Sequence, residues 1–152
     1  MIRTVQTEII TETIKKMCIE ANYSLSSDMV KAMRKAEEKE ESVLGKQILA
    51  QLQDNLEIAA SDMIPICQDT GMAVVFLEVG QDVHFEGGSF EDAVNEGVRQ
   101  GYTEGYLRKS VVKDPLFERT NTKDNTPAII YYDIVEGDTF HITCLLYTSP
   151  SP

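Results

Sequence analysis

Apolar residues recur at helical spacing through the first third of the chain and then close up into a short continuous run. Ile2, Val5, Ile9, Ile14, Met17, Cys18 and Ala21 fall mostly three or four residues apart, which places one apolar stripe on a helix. Asn22 to Ser26 is a polar break. Ser27 then reads as an N-cap, with Asp28 in the first turn and Met29, Val30, Met33 and Ala36 behind it. The charged run Glu37 to Glu41 is a solvated helix face or a turn. A third helix from about Ser42 carries Leu44, Ile48, Leu49, Leu52, Leu56, Ala59 and Met63 on one side. It must end near Met63, because Pro65 disfavours helical geometry in the residue before it.

Met72 to Val79 is nearly all apolar and of strand length, the pattern of a strand buried on both faces. Gly87-Gly88 marks a turn, and Ser89 with Asp92 three residues on is a capping-box variant. The helix it opens carries Phe90, Ala93, Val94, Val98, Tyr102 and Tyr106. Gly97, Gly101 and Gly105 recur on one of its faces, each costing roughly 1 kcal/mol of helix propensity against Ala. Three such costs imply that a strand or a loop backbone packs close there. Asp114-Pro115 breaks the chain, and Glu118 to Pro127 is a polar loop rich in turn formers. Ala128 to Val135 and Thr139 to Ile142 read as a hairpin around Glu136-Gly137-Asp138. The expected class is mixed α/β: an N-terminal helical segment, then a mixed sheet with packed helices, truncated partway through the domain.

The truncation follows from the tail. Cys144-Leu145-Leu146-Tyr147-Thr148-Ser149-Pro150-Ser151-Pro152 shares no pattern with what precedes it. It resembles the in-frame translation of a transposase-type sequencing adapter, so residues 144–152 are expected to be a non-native appendage to one domain over residues 1–143. Such a tail should stand apart from the packed structure.

Composition narrows the function classes. The 152 residues are 42% hydrophobic and 26% charged, ordinary globular values. A formal net charge of −11 argues against nucleic acid and anionic membrane surfaces as partners. An anionic substrate would need a locally positive site. No apolar run is long enough to span a bilayer, no targeting segment is visible, and the three cysteines have neither metal-finger nor disulfide-framework spacing. The cytosol is the expected compartment.

The residues richest in chemistry are Ile66-Cys67-Gln68-Asp69-Thr70-Gly71, at a helix-to-strand junction directly after Pro65. Cys67 admits three readings. It is a small buried hydrophobe, a nucleophilic thiolate, or a metal thiolate. The second lacks support, since His84 and His141 are the sole histidines and no basic residue adjoins it. Asp69-Thr70-Gly71 can be turn chemistry alone. Arg108 follows the glycine-bearing helix, where a cation suits the helix dipole. Equally, its guanidinium can grip a carboxylate through two hydrogen bonds.

With flanks Pro65 and Met72-Ala73-Val74, the Cys67 loop resembles the cluster-binding loop of the iron–sulfur hydro-lyases, the class I fumarases and L-tartrate dehydratases, in their α subunit or α-type domain. The Arg108 region and Asn121 to Pro127 add to the resemblance, which runs over most of residues 5–143. It implies a [4Fe-4S] cluster held by three cysteines with one iron open as a Lewis acid. Cys67 would be one ligand. The other two would lie beyond the end of this chain, so Cys18 and Cys144 are not expected to fill their places. The resemblance further implies substrate binding by Gln68, Asp69 and Arg108, with Asp69 as the general acid and base. The reaction would be reversible hydration of a dicarboxylic acid, fumarate to L-malate first and L-tartrate dehydration second. A β-type subunit in an oligomeric assembly would supply the rest of the site; the stretch from Lys109 to Pro127 looks more like the separate-subunit type than the fused one. The opposing expectation is a non-catalytic structural or interaction subunit with an inert Cys67.

Overall fold

Close approach of two helices sets the architecture. The computed structural model describes residues 2–147. In chain order it contains β1 (Arg3–Gln6), α1 (Thr7–Tyr23), α2 (Ser27–Lys39), α3 (Val43–Asp62), β2 (Met72–Gly80), β3 (Val83–Glu86), α4 (Phe90–Glu104), β4 (Ile129–Val135) and β5 (Phe140–Tyr147). It is mixed α/β. The glycine face of α4 lies against α1, a helix rather than the expected strand or loop. A Cβ on Gly97 would stand 2.6 Å from the Thr11 carbonyl oxygen, and one on Gly101 would stand 2.9 Å from the Cys18 Cβ. No real Cβ tolerates such distances, so the propensity lost in α4 is exchanged for helix-to-helix packing.

The start of the chain departs from the expected helix. Residues 3 to 6 form β1, paired in parallel with β3, which the apolar pattern had not marked. Only Val5 of β1 points inward, and one apolar residue fits either period. Helix α1 then buries Ile10, Ile14 and Cys18 at four-residue spacing. Helix α2 starts one residue early relative to expectation, with Ser26 at the N-cap. Ser42 caps α3 by accepting from the Gly45 N–H, and Met63 ends it in the left-handed region at φ 54°. The two helices pack on one another. Leu44, Ile48 and Leu52 nevertheless stay exposed, and Ala59 is the one buried residue of α3.

The three-stranded sheet runs β4-β2-β5, with β4 parallel and β5 antiparallel to β2. The expected hairpin is therefore not one: β2 lies between its two strands. Their connection arches over the end of β2, where the Gly80 N–H donates to the Thr139 carbonyl at 2.7 Å. A Cβ on Gly80 would sit 2.3 Å from the Gly137 oxygen, so that arch requires glycine. Nor is β2 buried on both faces. Ala73, Val75, Leu77 and Val79 enter the core with Val94, Val98 and Tyr102 of α4. On the opposite face Phe76 stacks on Tyr131 with ring centroids 5.1 Å apart, and both remain partly exposed.

The expectation that the tail stands apart from the packed structure is overturned for residues 144–147. They continue β5, pairing Val75 with Cys144, Val74 with Leu145, Ala73 with Leu146 and Met72 with Tyr147. Cys144 and Leu146 pack against the core. Alternation of Cys144 and Leu146 with Leu145 suits an edge position beside β2, whatever the origin of the segment. Residues 148–152 lie outside the described residues. Among the described residues no helix is long and apolar enough to cross a membrane.

Candidate functional site

The segment from Met63 to Gly71 is a loop clamped at both ends and bare in the middle. At its entry the Ile66 N–H donates to the Asn22 carbonyl at 2.8 Å, and the Asn55 Nδ2 donates to the Ile66 carbonyl at 2.9 Å. At its exit the Thr70 hydroxyl donates to the Arg108 carbonyl at 3.0 Å. The buried Tyr102 hydroxyl lies 2.8 Å from the Thr70 carbonyl and 3.0 Å from that of Gly71. Burial pushes the Tyr102 phenol well above its ordinary value, so it stays a donor. Between these clamps Cys67, Gln68 and Asp69 are exposed. The Cys67 thiol donates locally to the Asp69 carbonyl at 3.3 Å.

Arg108 comes to this loop from the other side. Helix α4 ends at Glu104 with Gly105 at its C-cap, so Arg108 lies beyond the helix rather than in its last turn. Pro65, Cys67, Gln68, Thr70, Tyr106 and Arg108 line one hollow of about 420 Å³. The sequence-predicted residues Cys67, Gln68 and Arg108 thus share a cavity. Asp69 does not join its lining, contrary to expectation, and sits exposed beside it. Tyr106 was missed. It takes the left-handed position at φ 53°, where glycine is usual. Gly105, the obvious candidate for that position, is instead held at the C-cap, where its Cβ would stand 2.9 Å from the Ile19 Cγ1. No sequence signal distinguishes these two demands for glycine.

Charge favours this hollow over a larger one. A cavity of about 610 Å³ between the starts of α1 and α4 is lined by Glu8, Glu12, Asp92 and Glu96. Its Arg99 is already paired with Glu96 and with Asp124. Arg108 enters no ion pair among the described residues.

The donors present suit one thiolate ligand to a shared group, not a complete metal site. Among the described residues no cluster of three or more His, Cys, Asp or Glu could hold an ion. Cys18 is fully buried in the core; its hydrogen bond with Cys144 and its burial both push the thiol up. Cys67 alone is exposed. A soft, accessible donor on a clamped loop fits a metal–sulfur cluster whose other ligands come from elsewhere.

Comparison with known proteins points to one family. The chain is 38% identical over 102 residues to the aerobic class I fumarate hydratase of Escherichia coli K12, covering 66% of this chain and 18% of that protein. The anaerobic class I enzyme of the same strain is 37% identical over 101 residues, with the same two shares. The L(+)-tartrate dehydratase subunit alpha of Escherichia coli UTI89 is 26% identical over 133 residues, covering 85% of this chain and 43% of that protein. The chain therefore spans less than half the length of these relatives. A model of the family described as fumarate hydratase (Fumerase) matches residues 11–149, a stretch that takes in the clamped loop, α4 and the Arg108 segment. With nearly the whole chain matched, it belongs to the fumarate hydratase family.

Proposed function

We propose that this chain is part of a hydro-lyase that reversibly hydrates a dicarboxylic acid, fumarate to L-malate. Cys67 would supply one ligand of a [4Fe-4S] cluster. When bound, such a cluster supplies Lewis acidity toward a substrate carboxylate and hydroxyl. The chain's own groups do the rest of its share. The Arg108 guanidinium binds one carboxylate through paired hydrogen bonds, and the Gln68 amide donates to a carboxylate oxygen. Asp69, next to the cavity and solvent-exposed, gives and takes the proton of the hydroxyl. A β-type subunit or domain completes the site with further cations and the base for the carbon-bound proton.

The observation that carries this reading is the shared hollow of Cys67, Gln68 and Arg108, with Arg108 in no ion pair among the described residues of an acidic chain. L-tartrate dehydration is the second reading. It is favoured by one point, that the match to a tartrate dehydratase alpha subunit covers 85% of the chain against 66% for the fumarate hydratases.

The test uses the complete gene product with its partner, prepared anaerobically. Cys67→Ala should lose the bound iron and the brown colour together with turnover, because alanine offers iron no donor. Full iron content and full activity in that variant would show that Cys67 is no cluster ligand and that its loop is an ordinary turn. Residues 1–152 alone, reconstituted with iron and sulfide, should hydrate no fumarate.

A further inference from the structure

Asn125 is the one polar side chain of the loop before β4 that is wholly buried, and every hydrogen bond it makes reaches another segment. Its Oδ1 accepts from the Ser110 N–H at 2.8 Å and from the Val111 N–H at 3.1 Å. Its Nδ2 donates to the Gly71 carbonyl at 3.0 Å. One amide therefore joins the segment carrying Arg108 to the exit of the loop carrying Cys67. The backbone around it is fitted to the task. Asn125 stands at φ 63°, a conformation that Asn tolerates better than most residues. Asp124 shapes the turn by accepting from the Thr126 N–H and hydroxyl.

Asn125 adds to two other ties of these arms: the Thr70 hydroxyl donates to the Arg108 carbonyl at 3.0 Å and the Asn121 Nδ2 to the Lys109 carbonyl at 2.8 Å. Arg108 follows Leu107, which is buried and whose N–H donates to the Tyr102 carbonyl. On its far side, Ser110 and Val111 both donate to Asn125. No other residue type reproduces the set: Asp lacks the donor, Gln is one methylene longer, and Leu has neither donor nor acceptor. We propose that Asn125 is a positioning residue, fixing together with Thr70 the separation between the Cys67 loop and Arg108 and thereby the grip on the dicarboxylate. The substrate part of this inference rests on the function proposed above; the coupling of the two arms does not.

Two variants in the complete, partnered enzyme test it. Asn125→Gly keeps the left-handed backbone and deletes the amide. Asn125→Asp keeps the acceptor for Ser110 and Val111 but loses the donor to Gly71. Amide hydrogen exchange should quicken over both arms in the glycine variant, and over Gln68 to Met72 alone in the aspartate variant. KM for the dicarboxylate should rise about tenfold in Asn125→Gly, while bound iron stays at the wild-type level and kcat falls less than about threefold. Ser42→Ala, which removes a distant helix cap, controls for destabilisation alone and should leave KM unchanged. Wild-type exchange in both arms overturns the proposal, and so does loosened exchange with an unchanged KM, since the clamp would then be structural only. A wild-type enzyme without hydro-lyase turnover would instead overturn the functional reading, and the exchange arm would then decide the coupling by itself. Should Asn125→Gly fail to fold, Asn125→Asp carries the same comparison.

Discussion

Arg99 and Arg108 lie nine residues apart, and the molecule treats them in opposite ways. Arg99, inside α4, is tied to Glu96 and, through its Nε at 3.0 Å, to Asp124. Arg108, past the end of the same helix, has no ion pair among the described residues and faces the hollow beside Cys67. Acidic residues are not scarce: there are 25 of them against 14 Lys and Arg. Arg3, Arg34 and Arg119 likewise enter no ion pair among the described residues, so what sets Arg108 apart is the hollow it lines. A paired arginine fixes geometry, whereas an unpaired one beside a cavity is ready for an external carboxylate. The same division runs through the loops. Thr70, Tyr102 and Asn125 spend their polar atoms on neighbouring backbone. Cys67, Gln68 and Asp69 remain exposed between them.

The comparison breaks hardest if the free groups prove idle. Asp69→Asn in the complete enzyme should keep the iron and most substrate affinity but lower kcat by roughly 10²–10⁴-fold, the usual worth of acid–base assistance. Stopped-flow or steady-state rates with iron content measured in parallel would check this. An unchanged kcat would remove Asp69 from the chemistry, in keeping with its position outside the cavity lining.

The two arginines themselves make the next test. Arg108→Ala should raise KM for the dicarboxylate by about 10- to 100-fold, the loss of charge-assisted hydrogen bonds, with a smaller change in kcat. Arg99→Ala should leave KM within about twofold and lower stability by up to about 1 kcal/mol, as expected for a partly exposed pair. Thermal unfolding and Michaelis kinetics on both variants separate the cases. Equal KM effects would erase the distinction between the arginines.

Much of this was legible along the chain, in uneven ways. The stripes of α1, α3 and α4, the stop at Pro65 and the exposed cysteine loop all follow from local rules about spacing, caps and proline. Non-local pairing was harder to read. Val5 fits a helix stripe and a strand equally, so β1 was taken into α1, and β3 lacked enough apolar residues to be marked. The turn Glu136-Gly137-Asp138 looks like a hairpin because nothing in it records that β2 inserts between its strands. The apolar run of β2 and the side of α3 carrying Leu44, Ile48 and Leu52 promised more burial than they receive. Hydrophobicity states what a face can bury, not what covers it. Within the site, the Cys67 loop stood out by its density of reactive groups. The roles of Cys67, Gln68 and Arg108 came from the resemblance to the hydro-lyases, since a buried thiol, turn chemistry and a helix-dipole cation fitted the residues as well. Asn125 lay in a loop already singled out, but its part depends on meeting Gly71, which is 54 residues away.

The smallest effect concerns the paired end of the comparison. Burial tends to raise the Asp124 carboxyl, but the Thr126 hydroxyl and amide and the Arg99 guanidinium outweigh it and hold the group at about 2. The unfolded value is near 3.9. A carboxyl with a depressed folded pKa contributes stability that is fully present above the unfolded value and is lost as pH falls through the folded one. The Asp124 contribution should thus be complete at pH 5 and vanish between about pH 4 and pH 2. Because Arg99 is partly exposed, about 1 kcal/mol is a reasonable size after solvent screening. Asp124→Asn removes this ionisation, so the stability difference between wild type and variant should shrink across that window and stay flat above it. Denaturant midpoints at pH 7, 5, 4 and 2.5 would measure it. A difference that persists undiminished at pH 2.5 would mean that the aspartate acts by shaping the turn at Thr126 rather than by its charge, and the pairing with Arg99 would then contribute nothing measurable to the loop that carries Asn125.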